Sequence, residues 1–245
     1  MKLLIDAGNT RIKWALVNGD DWLRSGVLPV EQAGELPQQF SEMQNIQQIW
    51  VSNVAGEEIA QHIRNIRVGQ PGQPHFAVAH FIVAKEAQCS VRNGYSNAGQ
   101  LGSDRWAALI AAWHLARRGC LVVNCGTATT IDTLSAQGEF TGGLIVPGIE
   151  LMQRSLIAET GQLKSRQGRY LPFPQNTADA LYSGAIQASC GAIQRQHALL
   201  GDDSAPIVLS GGAAGLLQAQ LGMPLRVVDN LVLQGLLIIA QEAEE

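Results

Sequence analysis

The chain contains two similar stretches in which hydrophobic runs surround a glycine. The first run, Leu3–Ile5, leads into a small-residue turn around Gly8 and then into a second run with partial alternation. The run Leu121–Val123 leads in the same way through Gly126 into a further apolar run. Two β-prone runs joined by a glycine turn are typical of a hairpin. The pattern therefore predicts one β-hairpin in each half of the chain.

The two hairpins align at a constant offset, which places Asp6 over Asn124. A repeat separated by about half of the chain favours duplication of one unit over a chance likeness of two hydrophobic hairpins. We therefore predict two similarly built domains, residues 1–119 and 120–245.

Later segments predict an α/β order in both halves. Short apolar runs predict strands at 48–52, 80–84, 142–148, 207–212 and 225–229. A connector rich in turn residues lies at Gly69–Pro74. Apolar positions spaced by three and four predict helices at 106–118, 149–159, 177–197 and 231–241.

The helix predicted at 177–197 carries a face of small residues: Ala180, Gly184, Ala188 and Gly191. Such a face lets another backbone approach closely. Tight packing within the chain is the favoured interpretation, and a dimer interface is the alternative.

Composition excludes several classes of protein. The chain has 245 residues, 46% of them hydrophobic and 16% charged, which predicts a globular core and not a disordered chain. A formal net charge of −4 argues against binding to nucleic acid through phosphates. The sequence contains no apolar run long enough for a membrane span and no signal peptide. The four cysteines lack metal-ligand spacing, which predicts buried thiols in a cytoplasmic protein.

The first glycine turn carries side chains suited to phosphate. Asp6 stands at the end of a strand, Gly8 lets a ligand touch backbone, and Lys13 lies on the outgoing strand. Amide groups in such a turn can bind an anion, and a neighbouring carboxylate can hold Mg²⁺ or its water. The alternative is a plain hairpin turn, because Gly and Asn are favoured turn residues.

The second turn, Gly126–Thr130, adds hydroxyl groups, and Asp132 adds a carboxylate. Two such turns facing each other across a cleft could hold a triphosphate. The sequence contains neither a P-loop nor a dinucleotide-binding fingerprint. The pair Gly211–Gly212 is a further candidate for close approach by a nucleotide, with a tight strand-to-helix turn as the alternative.

The segment Gly102–Arg105 precedes the helix predicted at 106–118. Asp104 can be a helix N-cap. Alternatively, Arg105 pairs a substrate carboxylate while Asp104 takes a hydroxyl proton. Tyr95 could form a wall of such a pocket.

Five motifs in this order resemble the type III pantothenate kinase family. They are D-x-G-N-T-x-x-K at 6–13, Y-x-N-x-x-x-L-G-x-D-R-W at 95–106, G-T-A-T-T-x-D at 126–132, G-G-x-I-x-P-G at 142–148 and the glycine pair 211–212. The resemblance implies the fold of the acetate and sugar kinase, chaperone and actin superfamily. That fold has two ribonuclease H-like α/β domains, each a mixed sheet flanked by helices.

The resemblance also implies ATP-dependent phosphorylation of pantothenate, the first step of coenzyme A biosynthesis, with Mg²⁺ on the nucleotide and near Asp6. The residues implied to bind ATP are Asp6, Ala7, Gly8, Asn9, Thr10, Arg11, Ile12, Lys13, Thr127, Gly211 and Gly212. Those implied to bind pantothenate are Tyr95, Gly102, Ser103, Asp104, Arg105 and Thr177, with Asp104 as the proton acceptor. The family is usually a homodimer whose pantothenate pocket includes residues of the partner.

The sequence departs from the family pattern at a few positions. Asn124 stands where Asp often helps to bind a monovalent cation such as K⁺ or NH₄⁺, and a neutral amide weakens the expectation of that requirement. Ser103 and Ala98 replace a usual Ala and Pro, and neither is expected to alter the chemistry. A regulatory or interaction protein of the same fold that binds ATP, and a kinase of another small hydroxylated acid, are the alternative functions.

Overall fold

The computed structural model describes residues 1–41, 43, 45–70, 73–160 and 167–244, with no side-chain burial for 69–70 and 73–76. Contacts between Cα atoms divide the chain into two compact units. The first contains residues 1–111 and 230–245, and the second contains residues 112–229.

The strands of the first unit are β1 (Lys2–Ala7), β2 (Arg11–Asn18), β3 (Asp21–Pro29), β4 (Gln48–Asn53), β5 (Arg67–Gln70), β6 (Gln73–Phe76), β7 (Val78–Phe81), β8 (Ala87–Gln88) and β9 (Val91–Asn93). The strands of the second unit are β10 (Cys120–Cys125), β11 (Ala128–Leu134), β12 (Glu139–Pro147), β13 (Ile207–Ser210) and β14 (Leu225–Val227). The helices are α1 (Leu36–Phe40), α2 (Glu57–Arg64), α3 (Ser103–Ala116), α4 (Ile149–Glu159), α5 (Thr177–Leu199), α6 (Ala214–Leu221) and α7 (Leu231–Glu242). Short 3₁₀ helices lie at Val30–Glu35 and Ala98–Gln100.

Both units have the same sheet topology. The first has the order β3-β2-β1-β4-β7, and the second contains the order β12-β11-β10-β13-β14. In each unit the first strand pairs antiparallel with the second and parallel with the fourth. The mixed α/β architecture predicted from the sequence is confirmed. The shared strand order is what duplication of one unit would produce.

The two hairpins differ in their turns. In the first, Ala7 pairs with Ile12, whereas in the second Cys125 pairs with Thr129. The second turn is therefore one residue shorter, and the constant offset predicted from the sequence ends there. Asp132 lies inside β11 opposite Val122, and it is buried and not at the turn.

The last helix belongs to the first unit, whereas the predicted boundary placed it in the second half. Gly235 allows α7 to pack closely on α3, because a Cβ at this position would lie 1.9 Å from the carbonyl oxygen of Ala107. The backbones of α7 and α3 therefore meet directly. The apolar periodicity of residues 231–241 predicts a buried helix but not which sheet buries it.

Several elements were not predicted. The edge strand β3 is largely exposed, and its apolar residues Trp22, Leu23, Val27 and Leu28 do not alternate with polar ones, so its pattern is weak. The helix α2 has only eight residues. Within the connector predicted at Gly69–Pro74, residues 71 and 72 lie outside the described part of the chain, and the residues on either side form the antiparallel pair of β5 and β6.

The small-residue face of α5 is exposed, contrary to the predicted packing within the chain. Its members Ala180, Gly184, Ala188 and Gly191 all face solvent. A Cβ at Gly184 or Gly191 would meet nothing within 4 Å. The opposite face supplies the core through residues such as Ile186 and Ile193. The described residues include no helix with the length and hydropathy that a membrane crossing requires.

Candidate active site

Asp6 lies near the carboxyl end of the central strand of the first unit. Its Cα partners are Lys13 in β2 and Ser52 in β4. Because β1 and β4 are parallel, their carboxyl ends meet at one edge of the sheet, which is where α/β proteins commonly bind ligands. Asp6 and Lys13 were both predicted to bind ATP, and the structure places them side by side at this edge.

Asp104 lies in the first turn of α3 and not at its N-cap, because the helix begins at Ser103. The Gly102 carbonyl oxygen accepts a hydrogen bond of 2.9 Å from the Trp106 amide, the first bond of the helix. The carboxylate of Asp104 accepts a hydrogen bond of 2.8 Å from the Arg105 amide. The positive end of the helix dipole favours a negative charge at this position.

The charge of Asp104 affects the pKa of Asp6. Burial, and to a smaller extent the negative charge of Asp104, raise the pKa of Asp6 from 3.8 to about 7, against a lowering effect of Lys13. Burial also raises the pKa of Asp104, against the lowering effect of hydrogen bonding and of the Arg105 charge. Burial is therefore the main cause of both raised pKa values, and the Asp104 charge adds to the shift of Asp6.

Arg105 is almost fully buried and is oriented toward Tyr95. Its Nη1 donates a hydrogen bond of 3.1 Å to the Tyr95 hydroxyl oxygen, and its guanidinium lies 5.7 Å from the centre of the Tyr95 ring. Two predicted pantothenate residues, ten positions apart in the sequence, are therefore in contact. Asp104 adjoins this pair in the chain, so a carboxylate, a guanidinium and a phenol lie together.

The first glycine turn is closed by its own backbone. The Gly8 amide donates a hydrogen bond of 3.1 Å to the Arg11 carbonyl oxygen, so this amide is not a free donor for phosphate. Ala7 and Ile12 are fully buried in the core, which leaves only their backbones near a ligand. The exposed members of the predicted ATP segment are Asn9, Thr10 and Arg11.

The second turn is held by a hydrogen bond within the turn and by Gly148, the N-cap of α4. The Gly126 amide bonds to the Ala128 carbonyl oxygen at 3.0 Å, and the Gly148 amide bonds to the Thr127 carbonyl oxygen at 2.9 Å. A Cβ at Gly148 would lie 2.2 Å from the Gly126 carbonyl oxygen. Thr127 itself is exposed. Gly148 thus supports the second turn, a role that the sequence motif did not reveal.

The two members of the late glycine pair differ. Gly211 has a φ of 100°, and a Cβ there would lie 2.4 Å from the Cys125 carbonyl oxygen. The tight-turn interpretation therefore explains Gly211. A Cβ at Gly212 would meet nothing within 4 Å, so this glycine has open space beside it.

The remaining predicted residues lie in the second unit. Asn124 is half-buried in β10 and pairs with Thr130 and Ser210. Thr177 is exposed at the first position of α5. The helix is capped by the Asn176 side chain, which accepts a hydrogen bond of 3.0 Å from the Asp179 amide.

A cavity of about 300 Å³ lies beside the first turn. Its lining is Asn9, Val30, Glu31, Ala33, Gly34, Ala55, Glu58, Ile59 and His62. Its lining includes two glutamates and one histidine.

The Asp6 carboxylate fits a magnesium ion that arrives with a nucleotide. In the described part of the chain, no group of three or more His, Cys, Asp or Glu side chains could hold a metal ion. Mg²⁺ commonly keeps several waters and binds through one or two carboxylates together with substrate phosphates. Asp6, beside Lys13 at the edge of the sheet, can supply one such carboxylate.

Comparison with solved structures supports the architecture. A protein from Sinorhizobium meliloti that is assigned as a 2-dehydro-3-deoxygalactonokinase matches with a TM-score of 0.60 at 14% identity, covering 99% of this chain and 96% of that chain. At this identity the likeness concerns the fold alone. The duplicated sheets define the class: the actin-like and sugar kinase fold.

Comparison of sequences identifies the family. A family model for type III pantothenate kinase matches residues 2–198. A type III pantothenate kinase of Nitrosospira multiformis is 47% identical, covering 99% of this chain and 92% of the relative. One of Aromatoleum aromaticum is 46% identical, covering 99% of this chain and 98% of the relative. The chain belongs to the type III pantothenate kinase family.

Proposed function

We propose that Asp6 and Asp104 form the centre of an ATP-dependent kinase that phosphorylates pantothenate to 4′-phosphopantothenate, the opening reaction of coenzyme A biosynthesis. The reaction is assigned from membership of the type III pantothenate kinase family. The observation that supports the site is that the charge of Asp104 raises the pKa of Asp6, which lies beside Lys13 at the edge of the sheet.

Asp6 is the residue that holds Mg²⁺, directly or through water, while Lys13 faces the nucleotide phosphates. When bound, Mg²⁺ neutralises phosphate charge. The exposed residues Asn9, Thr10 and Arg11 are the ligands of the first turn, and Thr127 is the ligand of the second. Phosphoryl transfer depends mainly on positioning and charge stabilisation, which these groups supply.

Asp104 accepts the proton of the pantothenate hydroxyl at Oδ1 or Oδ2 as the oxygen attacks the γ-phosphorus. Its raised pKa makes it a better proton acceptor than an ordinary aspartate. If the transition state is loose, proton transfer comes late and Asp104 contributes chiefly by orienting the hydroxyl.

Arg105 forms an ion pair with the pantothenate carboxylate, and Tyr95 holds the guanidinium in the orientation for this ion pair. The hydrogen bond and ring contact between these two side chains restrict the Arg105 rotamer before substrate arrives. A guanidinium held in one orientation loses less entropy on binding a carboxylate. Gly102 and Ser103 also bind pantothenate, as does Thr177 at the start of α5.

The adenosine of ATP lies beside Gly212, where the backbone has open space.

Asn124 makes a monovalent cation such as K⁺ or NH₄⁺ dispensable, because an amide lacks the charge that such a site uses. Measuring turnover after replacement of K⁺ by a bulky organic cation tests this: a rate within about twofold is expected, and a large loss would restore the cation requirement.

The enzyme is a homodimer that forms through the exposed small-residue face of α5. Two open glycines, Gly184 and Gly191, allow a second backbone to approach closely.

The enzyme works in the cytoplasm, which the buried free cysteines favour.

The test is turnover with ATP, Mg²⁺ and a panel of small hydroxylated acids. We expect pantothenate to have the highest kcat/KM, with one ADP released per phosphopantothenate formed. A better substrate in the panel would reassign the kinase. ATP binding without transfer to pantothenate would favour a regulatory protein.

A further inference from the structure

Two buried serine hydroxyls connect the elements that carry the two carboxylates. Ser52 is fully buried, and Ser103 is almost fully buried. Their oxygen atoms lie 3.0 Å apart, a hydrogen bond between residues that are distant in the sequence. Ser52 is the β4 partner of Asp6, and Ser103 immediately precedes Asp104.

We propose that the hydrogen bond between Ser52 and Ser103 positions Asp104 relative to Asp6, so that both serines are positioning residues for the reaction. This inference rests on the catalytic site proposed above. Each hydroxyl is adjacent to a carboxylate-bearing residue, one across the sheet and one along the helix. The bond therefore fixes the start of α3 against the edge of β4.

The chemistry of the pair favours a precise geometry. A buried hydroxyl without a hydrogen-bond partner is destabilising, because its desolvation is not compensated. The folded protein therefore favours the arrangement in which the Ser52 and Ser103 hydroxyls are bonded to each other. Two hydroxyls share one bond, which leaves the pair one further O–H to donate. Alanine, given by the family resemblance as usual at position 103, cannot form this bond. The sequence alone provides no reason to expect an effect of Ser103 on the chemistry, and its bond to Ser52 supplies one.

The first test compares Ser52→Ala, Ser103→Ala and the double variant by steady-state kinetics. We expect each single variant to lower kcat about tenfold, the size seen for residues that orient active groups, with both KM values within about twofold. The double variant should be no slower than the slower single variant, because the two groups act as one unit. Ser189→Ala is the matched control, since it removes another buried hydroxyl, bonded to the Ala185 carbonyl oxygen.

The second test separates positioning from stability. Ser103→Thr keeps a hydroxyl at position 103 and should restore kcat toward the wild-type value, whereas Ser103→Ala should not, with the thermal stability of both variants measured alongside. Lower thermal stability with unchanged kcat in the alanine variants would overturn the proposal. If Asp104→Asn retains full turnover, the proposed site is wrong; if Asp104→Asn is inactive while the serine variants match wild type, only the positioning role fails.

Discussion

Gly102 makes room for the Asp104 carboxylate. A Cβ at residue 102 would lie 2.6 Å from Oδ1 of Asp104 and 3.9 Å from a methyl carbon of Val54. The clash falls on the end of a side chain and not on backbone. The chain can therefore accept a larger residue at 102 only by moving its proposed proton acceptor.

We predict that Gly102→Ala folds but loses turnover. Because the carboxylate can rotate away, unfolding free energy should change by less than about 1 kcal/mol. Misplacing a reacting group by about 1 Å can lower kcat by about 100-fold. Chemical denaturation and steady-state kinetics measure the two effects.

The control is Gly99→Ala in the preceding 3₁₀ helix, where a Cβ would lie 3.6 Å from the Asn97 side-chain oxygen. This variant should keep kcat within about twofold. If Gly102→Ala is as active as the control, the position of the Asp104 carboxylate does not limit the reaction.

The adjacent glycines Gly211 and Gly212 should respond differently to alanine. Gly211→Ala places a Cβ against the Cys125 backbone at a φ of 100°, so we expect a loss of about 3 kcal/mol or more in unfolding free energy. Gly212→Ala should change stability by less than about 0.5 kcal/mol but raise the KM for ATP. Urea unfolding and ATP titration distinguish the effects, and an unchanged KM would remove Gly212 from the adenosine site.

The raised pKa of Asp6 predicts how stability depends on pH. Folding raises this pKa from 3.8 to about 7, so the folded chain holds the proton more tightly than the unfolded chain. The stability from this group is greatest below about pH 4 and is lost as pH rises toward 7. The free energy of unfolding should therefore fall more between pH 5 and pH 8 in wild type than in Asp6→Asn.

Added Mg²⁺ extends this comparison. At pH 8 the ion should stabilise wild type by neutralising ionised Asp6, and chelation should reverse the effect. The unfolding free energy of Asp6→Asn should rise less when Mg²⁺ is added. Equal increases in both proteins would place the magnesium site elsewhere.

The exposed helical glycine Gly184 tests the dimer. Gly184→Arg should convert a dimer to a monomer in light scattering, because a long cation on the small-residue face prevents close approach. The control is Gly215→Arg, another exposed helical glycine with open space. A Gly184→Arg protein that remains dimeric would contradict the assignment of this interface.

The sequence predicts the elements better than their contacts. The hairpins around Gly8 and Gly126 follow from local turn chemistry and are confirmed. The partner of α7 depends on the close approach of Gly235 to Ala107, two residues with no periodic relation. Periodicity alone therefore could not predict it.

The candidate site shows the same limit. The motifs identify Asp6 and Asp104 one at a time, but the effect of the Asp104 charge on the pKa of Asp6 depends on tertiary structure. The bond between Ser52 and Ser103 was not predicted, since Ser52 belongs to none of the motifs. Such a bond becomes visible only when the strand and the helix are placed together.

The most direct test of the paired carboxylates is the turnover of Asp104→Asn with ATP, Mg²⁺ and pantothenate, followed by ³¹P NMR of the phosphopantothenate formed. The account predicts a folded protein that binds ATP with wild-type affinity and loses at least about 100-fold in kcat. A folded Asp104→Asn enzyme that forms phosphopantothenate at the wild-type rate would contradict it.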